Sequence, residues 1–225
     1  MKAVRPDEIE ICDALRFSGR KRVLNAGSGR PSGRSLHPVF RNAAWQEVRI
    51  DIDAGAVPDL VGSVTDMRSS VSSGSFDAVW SSHSLEHLHT HEVPSALAEF
   101  RRILKPDGFA LMACPDLAAV AAMLLDRGAE HVAYVSAVGP IAPLDMLFGH
   151  SASIAKGNGY MAHKTGFTAA RLGRLLLEAG FPTVLARTEK FDLWALALMP
   201  KADRAAIDHQ LRAVDFGIFD GPACG

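Results

Sequence analysis

The 225-residue chain has little of what several classes of protein require. Its three cysteines, Cys12, Cys114 and Cys224, are odd in number and widely separated, which excludes a disulfide framework and a C-x-x-C metal knuckle. Because 24 Lys and Arg balance 25 Asp and Glu, no global field attracts nucleic acid or an anionic membrane. The longest apolar stretch, residues 109–125, is broken by proline and aspartate, and the amino terminus lacks a hydrophobic signal region. We therefore expect a cytoplasmic protein with no nucleic-acid or membrane partner.

The remaining composition predicts one α/β domain over residues 1–225. Hydrophobic residues make up 48% of the chain, which is enough for one substantial core. Strand-like runs alternate with helix-like or turn segments, and this alternation predicts a parallel sheet with helices on both faces. The periodic segments predict helices near residues 93–104, 117–125, 169–179 and 201–214, a final antiparallel strand pair over FPTVLARTEK and FDLWALALMP, and a loose tail at 215–225. Residues 117–164 interrupt the pattern after the fifth strand, and we expect this insertion to form the substrate wall.

The run RVLNAGSG indicates a nucleotide-cofactor site. A strand that ends in the glycines Gly27 and Gly29 allows backbone N–H groups to approach a ligand closely. The next apolar run, EVRIDID, ends in Asp51, whose carboxylate has the chemistry to accept two hydrogen bonds from a ribose diol. The third glycine, Gly33, falls one residue late for the dinucleotide fingerprint, which disfavours an NAD-dependent oxidoreductase.

Four segments in this order resemble the class I S-adenosylmethionine-dependent methyltransferases, in particular the small type-11-like group. They are VLNAGSG, RIDID, DLVGSVTDM and FDAVWSSHSLEHLHTHEVPSALAEFRRILKPDGFALMACPD. The resemblance implies a Rossmann-like seven-stranded sheet of order 3-2-1-4-5-7-6 in which strand 7 is antiparallel. It also implies that S-adenosylmethionine is the cofactor.

By this resemblance, residues at the ends of the strands bind the cofactor, namely Asn25, Gly27, Gly29, Asp51, Asp66, Met67, Ser81 and Ser82. The two glycines would face the methionine half, and Asp51 would hold the ribose hydroxyls. Asp66 would accept from the adenine amino group, with the Met67 backbone beside the ring. Ser81 and Ser82 would lie near the sulfonium or the incoming substrate. Asn25 stands near a position that is often acidic in this superfamily.

The acceptor and the acid–base residue are weakly specified by the sequence. In methyl transfer the cofactor supplies the electrophile, and the protein mainly supplies positioning. His83, Asp116 and His163 are the candidate catalytic residues, and His150 lies in the same region. We expect a small-molecule or glycan-type hydroxyl as acceptor.

Two other functions remain open at this point. A non-catalytic S-adenosylmethionine-binding or regulatory module would keep the cofactor site without a competent base. The segment His83-Ser84-Leu85-Glu86-His87 matches the H-x-x-E-H pattern of one group of zinc peptidases, which allows a zinc-dependent hydrolase. Because this segment directly follows the strand FDAVWSS, we expect His83 in a strand-to-helix turn and expect no metal site.

Overall fold

A computed structural model describes residues 19–31, 35–136, 138–217 and 219 of the chain. The principal strands are β1 (Lys21–Ala26), β2 (Trp45–Asp51), β3 (Leu60–Val61), β4 (Phe76–Ser82), β5 (Leu104–Pro115), β8 (Thr183–Glu189) and β9 (Asp192–Leu198). A separate hairpin consists of β6 (Tyr134–Ser136) and β7 (Gly139–Ile141).

Helices lie between and after these strands. They are α1 (Val93–Ile103), α2 (Leu117–Arg127), α3 (Pro143–Phe148), α4 (Ser151–Ala155), α5 (Ala169–Glu178) and α6 (Arg204–Arg212). Short 3-10 turns occur at Pro38–Phe40, Ala54–Ala56, Leu85–His87 and Gly159–Met161. Within the described part of the chain, no helix has the length and apolar character needed to cross a membrane.

The seven principal strands form one sheet in the order β3-β2-β1-β4-β5-β9-β8. Strands β1 to β5 pair in parallel, whereas β9 runs antiparallel to both β5 and β8. This confirms the predicted order 3-2-1-4-5-7-6, since β8 and β9 are the sixth and seventh strands of the main sheet. The carboxyl ends of β1, β2 and β4 lie side by side, which is where open α/β sheets bind ligands.

Both faces of the sheet are covered by packed apolar residues. The central strands are buried on both sides, and in β1 every residue after Lys21 is buried, including the polar Arg22 and Asn25. One face packs against α1 and α5, through residues such as Leu97, Phe100 and Leu176. The other face packs against the Pro38–Phe40 turn and α6. The sheet is therefore the rigid support for whatever its carboxyl edge binds.

Local capping signals account for the helices. Helix α2 begins where the Asp116 side chain accepts a hydrogen bond from the Ala118 N–H, and α5 begins with Thr168 accepting from the Arg171 N–H. Pro38 occupies the first turn of the 3-10 segment Pro38–Phe40, where its fixed φ is already that of a helix start.

The tail differs in part from the predicted loose segment. Phe219 is 1% exposed and Phe216 packs on the same sheet face, where the Arg187 guanidinium lies over both rings. Burial of these apolar rings against the sheet stabilises this part of the tail. The other residues of 218–225 lie outside the described part of the chain.

The insertion at 117–164 contains α2, the β6–β7 hairpin, α3, α4 and the Gly159–Met161 turn. It has a small apolar cluster of its own, formed by Val120, Ile141 and Met146. A bridge between Asp116 and Phe167 joins its two ends beside the carboxyl end of β5. The insertion therefore stands at the same edge as the predicted cofactor site.

Candidate active site at the carboxyl edge of the sheet

The glycine loop after β1 has the backbone conformation that glycine permits. Gly27 and Gly29 have φ values of 69° and 59°. A Cβ atom on Gly27 would lie 2.2 Å from the Ser84 Oγ, so glycine is required there by the turn after β4. A Cβ on Gly29 would meet nothing within 4 Å, so open space lies above this residue. Gly33, the third glycine of the pattern, lies outside the described residues.

Asp51 holds the glycine loop against β2. Its Oδ2 accepts a hydrogen bond from the Gly29 N–H at 2.8 Å, and its Oδ1 accepts from the Asp53 N–H at 2.9 Å. The guanidinium of Arg49 donates to the carbonyls of Gly29 and Ala56, which fixes the loop from the other side. Because a carboxylate has about four acceptor positions, Asp51 retains lone pairs for a ligand hydroxyl.

The other predicted cofactor residues after β1 and β4 have different environments. Asn25 is buried, and its amide donates to Glu47 at 2.6 Å. Ser81 is 1% exposed, and its Oγ has no hydrogen-bond partner among the described residues, whereas Ser82 is half-buried. An unpaired buried hydroxyl at a strand end is costly unless a ligand supplies a partner. Ser81 therefore fits a polar ligand at this edge.

Asp66 and Met67 follow β3. Asp66 is exposed, and its carboxylate lies 3.3 Å from Arg68. Met67 is buried in the core, and its backbone N–H donates to the carboxylate of Glu99 at 2.7 Å. Its carbonyl accepts from the Ser70 N–H at 3.1 Å and the Val71 N–H at 2.8 Å, so both backbone groups of Met67 are bonded within the fold.

His83 stands at the end of β4 between two carboxylates. Its side chain is 46% exposed, with Nδ1 3.3 Å from Glu86 Oε1 and Nε2 3.5 Å from Asp192 Oδ1. Burial acts to lower the pKa of His83, but the contacts with Glu86 and Asp192 outweigh it, and the pKa lies above its usual value. Its φ of 47° is unusual for a residue other than glycine. Such backbone strain is common at functional sites.

The H-x-x-E-H spacing does not give the helical face that a zinc peptidase uses. His83 lies in the strand-to-helix turn, as predicted, and only Leu85–His87 form a 3-10 turn. His87 instead turns its Nδ1 toward the Ala162 carbonyl at 3.1 Å, and its ring lies 4.9 Å from the ring of His163. His163 is therefore a neighbour of the same turn. Burial lowers the pKa of His163 below its usual value.

Asp116 has a structural role. Its Oδ1 caps α2 at the Ala118 N–H, and its Oδ2 accepts a hydrogen bond from the Thr188 hydroxyl at 2.6 Å. The residue is 5% exposed. Both carboxylate oxygens of this predicted catalytic candidate thus accept hydrogen bonds that join β5, α2 and β8.

The sequence interpretation missed several residues that shape this edge. Arg49 braces the glycine loop, Glu99 holds the segment after β3, and Asp192 faces His83. Ile52 is 57% exposed immediately after Asp51 and presents apolar surface beside the carboxylate. The position of Ile52 directly after a strand-ending aspartate was visible in the sequence. The pairings of Arg49 and Asp192 had no local signal in the sequence.

Residues 24–112, which run from β1 into β5, match the model of the methyltransferase domain family. Over this segment, which is less than half of the chain, the protein is similar to methyltransferase domains. S-adenosylmethionine is the methyl donor of the class I methyltransferases. The match covers the glycine loop, Asp51 and the turn that carries His83 and Glu86.

Solved structures give the same fold. The 1,6-didemethyltoxoflavin N1-methyltransferase of Burkholderia thailandensis is 19% identical, with a TM-score of 0.50, over 89% of this chain and 79% of its own. An S-adenosylmethionine-dependent methyltransferase from Archaeoglobus fulgidus is 14% identical, with a TM-score of 0.52, over 87% of this chain and 96% of its own. At these identities the likeness concerns the fold. The comparison with curated protein sequences gave no match.

Proposed function

We propose that this methyltransferase acts on a small-molecule or glycan-type acceptor held between the Glu86 turn and the insertion at 117–164. The observation that carries the proposal is the return of the insertion to the sheet edge. The Lys164 N–H donates to the Glu86 carbonyl at 2.8 Å, and the Thr165 N–H donates to the same oxygen at 3.2 Å. These bonds join the end of the insertion to the turn that follows His83, which supports a role for the insertion as a wall of the acceptor site.

The residues that we assign to the cofactor lie at the same edge of the sheet. S-adenosylmethionine supplies an electrophilic methyl group on a sulfonium when it is bound. We assign the open surface over Gly29 to the methionine half, the remaining acceptor positions of Asp51 to the ribose hydroxyls, and the exposed side chain of Ile52 to the adenine ring. The unpaired Ser81 hydroxyl is assigned to a polar group of the cofactor or acceptor. Asp66, Met67, Asn25, Gly27 and Ser82 complete the proposed lining of the cofactor site.

His83 is the side chain that we assign to the acceptor. It is half-exposed at the carboxyl end of β4, and its left-handed backbone conformation turns it out of the strand. The contacts with Glu86 and Asp192 hold the imidazole in place. In this role His83 hydrogen-bonds the acceptor's reacting group and orients it toward the methyl donor.

The charges at the edge favour a small acceptor over a nucleic acid. Two carboxylates, Glu86 and Asp192, flank His83, and a polyphosphate chain would be repelled by them. The structure of the 1,6-didemethyltoxoflavin N1-methyltransferase contains the small molecule 1,6-didemethyltoxoflavin together with S-adenosylhomocysteine. This is consistent with the same fold serving a compact acceptor here.

The proposal is tested with radiolabelled S-adenosylmethionine and fractions of a cell extract separated by size. We expect label in the small-molecule or oligosaccharide fraction, and transfer only to nucleic acid or protein would contradict the proposed acceptor class. Binding of S-adenosylhomocysteine without transfer to any fraction would support the non-catalytic module instead.

Two variants separate the assigned roles. Asp51→Ala removes the ribose acceptors and the tether to Gly29, so cofactor affinity should fall by about 2–4 kcal/mol, or about 30- to 800-fold. Asp53→Ala is the matched control, because the backbone N–H that bonds Asp51 remains. His83→Asn keeps a residue that tolerates positive φ, and we expect at least about tenfold lower kcat with unchanged cofactor affinity. Equal affinities of Asp51→Ala and the control would refute the ribose assignment.

A further inference from the structure

We propose that Glu86, His87 and His163 form a binding site for a divalent transition-metal ion, with Zn²⁺ as the preferred metal. One carboxylate oxygen and one nitrogen from each imidazole lie within 4.8 Å of one another. The three residues come from the turn after β4 and from the end of the insertion. The site does not depend on the acceptor or on the proposed activity.

Glu86 supplies a buried carboxylate that the fold leaves without hydrogen bonds. The residue is 1% exposed, and neither oxygen has a hydrogen-bond partner among the described residues. The His83 Nδ1 lies 3.3 Å from its Oε1. A buried carboxylate without hydrogen bonds is strongly unfavourable, and a bound cation removes that cost.

The two imidazoles are oriented as metal ligands usually are. The His87 Nδ1–H donates to the Ala162 carbonyl at 3.1 Å, and the His163 Nδ1–H donates to the Met146 carbonyl at 2.9 Å. This tautomer leaves Nε2 of each ring with a free lone pair. Metal-binding histidines almost always donate their other ring N–H to a carbonyl or carboxylate, which fixes the ring and increases its basicity.

The donor set and the available space fit four-coordinate zinc. Two imidazoles and one carboxylate form a known zinc combination, in which a water occupies the fourth position. A cavity of about 20 Å³, lined by Glu86 and His163 and walled by Val120 and Met146, adjoins the cluster. This is room for about one water molecule. Metal–ligand bonds of 2.0–2.1 Å place the ligand atoms of a tetrahedral site roughly 3.3 Å apart. Side-chain rotations that move each ligand atom by roughly 1 Å bring the three atoms to this separation.

The proposed site differs from the H-x-x-E-H interpretation of the sequence. In that pattern His83 and His87 would be the ligands and Glu86 a base. In the proposed site Glu86 is itself a ligand, and the third ligand, His163, comes from the far end of the insertion. A bound ion would therefore tie the insertion to the turn after β4, where backbone bonds from residues 164 and 165 already meet the Glu86 carbonyl.

The test uses the untagged full-length protein after removal of metals with a chelator. Co²⁺ replaces Zn²⁺ as a spectroscopic probe, because its visible absorption reports four-coordinate nitrogen and oxygen ligation. We expect stoichiometric Co²⁺ uptake with this spectrum, displacement by Zn²⁺, and a higher midpoint of thermal unfolding with Zn²⁺. Absence of stoichiometric uptake by the wild-type protein would overturn the proposal without any variant.

His163→Ala and His87→Ala should each weaken Zn²⁺ binding by at least about tenfold. His209→Ala is the matched control, since His209 is exposed on α6, on the other face of the sheet. Circular dichroism and binding of S-adenosylhomocysteine verify that each variant is folded. Equal Zn²⁺ affinity of His163→Ala and wild type, or an equal loss in the control, would assign any uptake to surface histidines and refute the site.

Discussion

His37 makes the stability of this fold sensitive to acid. The residue is 5% exposed and lies among Trp80, Trp194 and Phe216, with ring centroids 5.2, 5.7 and 4.7 Å away. Its Nδ1 accepts a hydrogen bond from the Val39 N–H, which caps the 3-10 turn before β2. Protonation of the ring removes this acceptor and places a charge in the apolar layer.

The magnitude follows from the shift in pKa. Burial, assisted by the nearby positive charge of Arg41, lowers the pKa of His37 from 6.5 to about 4. The unfolded chain therefore binds the proton more tightly, and stability is complete above the unfolded pKa and falls as the pH decreases toward 4. From the linkage relation, the free energy of unfolding falls by about 2 kcal/mol between pH 7 and pH 5, and the full loss approaches about 3 kcal/mol.

The assay is urea unfolding at pH values from 7 to about 4 for the wild type and for His37→Asn. Asparagine keeps a side-chain oxygen that caps the turn but does not titrate. The variant is expected to be less stable at pH 7 because it leaves a cavity among the rings, and to lose less stability on acidification than the wild type. Other groups titrate in both proteins and cancel in the difference. Parallel losses in the two proteins would refute the role assigned to His37.

Two further predictions concern the carboxyl edge. Gly27→Ala places a Cβ 2.2 Å from the Ser84 Oγ and should cost more than about 2 kcal/mol of unfolding free energy, whereas Gly29→Ala meets only the positive-φ penalty of about 1 kcal/mol. Equal costs by urea unfolding would show that Ser84 does not restrict the loop. Asp116→Ala removes the cap of α2 and the bond from Thr188, so stability should fall by about 2–4 kcal/mol with unchanged affinity for S-adenosylhomocysteine. A calorimetric loss of that affinity in a stable variant would contradict its structural role.

The fold was predictable where the sequence carries local signals. The capping residue Thr168 and the apolar spacing of α1 act over a few residues, so these helices follow from local signals. The strand order was predicted from the resemblance to the methyltransferases and not from local signals. The burial of Phe219 was not predictable, because it depends on distant partners such as the Arg187 guanidinium. Whether a residue near a chain end is buried depends on tertiary packing and not on the polarity of its sequence neighbours.

The same distinction between local signals and distant contacts applies to the candidate site. Asp51 was identifiable because a carboxylate ended an apolar strand one βαβ unit after the glycines. The approach of His163 to Glu86 and His87 was not identifiable, since the intervening insertion sets the distance and carries no spacing rule. Sequence spacing therefore predicts a cofactor site at the carboxyl edge but gives no sign of the cluster beside it.

The central claim is that this chain binds S-adenosylmethionine at the carboxyl edge formed by Gly29 and Asp51. The most direct test is isothermal titration calorimetry of the purified protein with S-adenosylhomocysteine, with NAD titrated beside it. We predict micromolar binding of S-adenosylhomocysteine with a stoichiometry of one, no binding of NAD, and a marked loss of affinity in Asp51→Ala. Absence of S-adenosylhomocysteine binding by folded wild-type protein would contradict the assignment of this edge as the cofactor site.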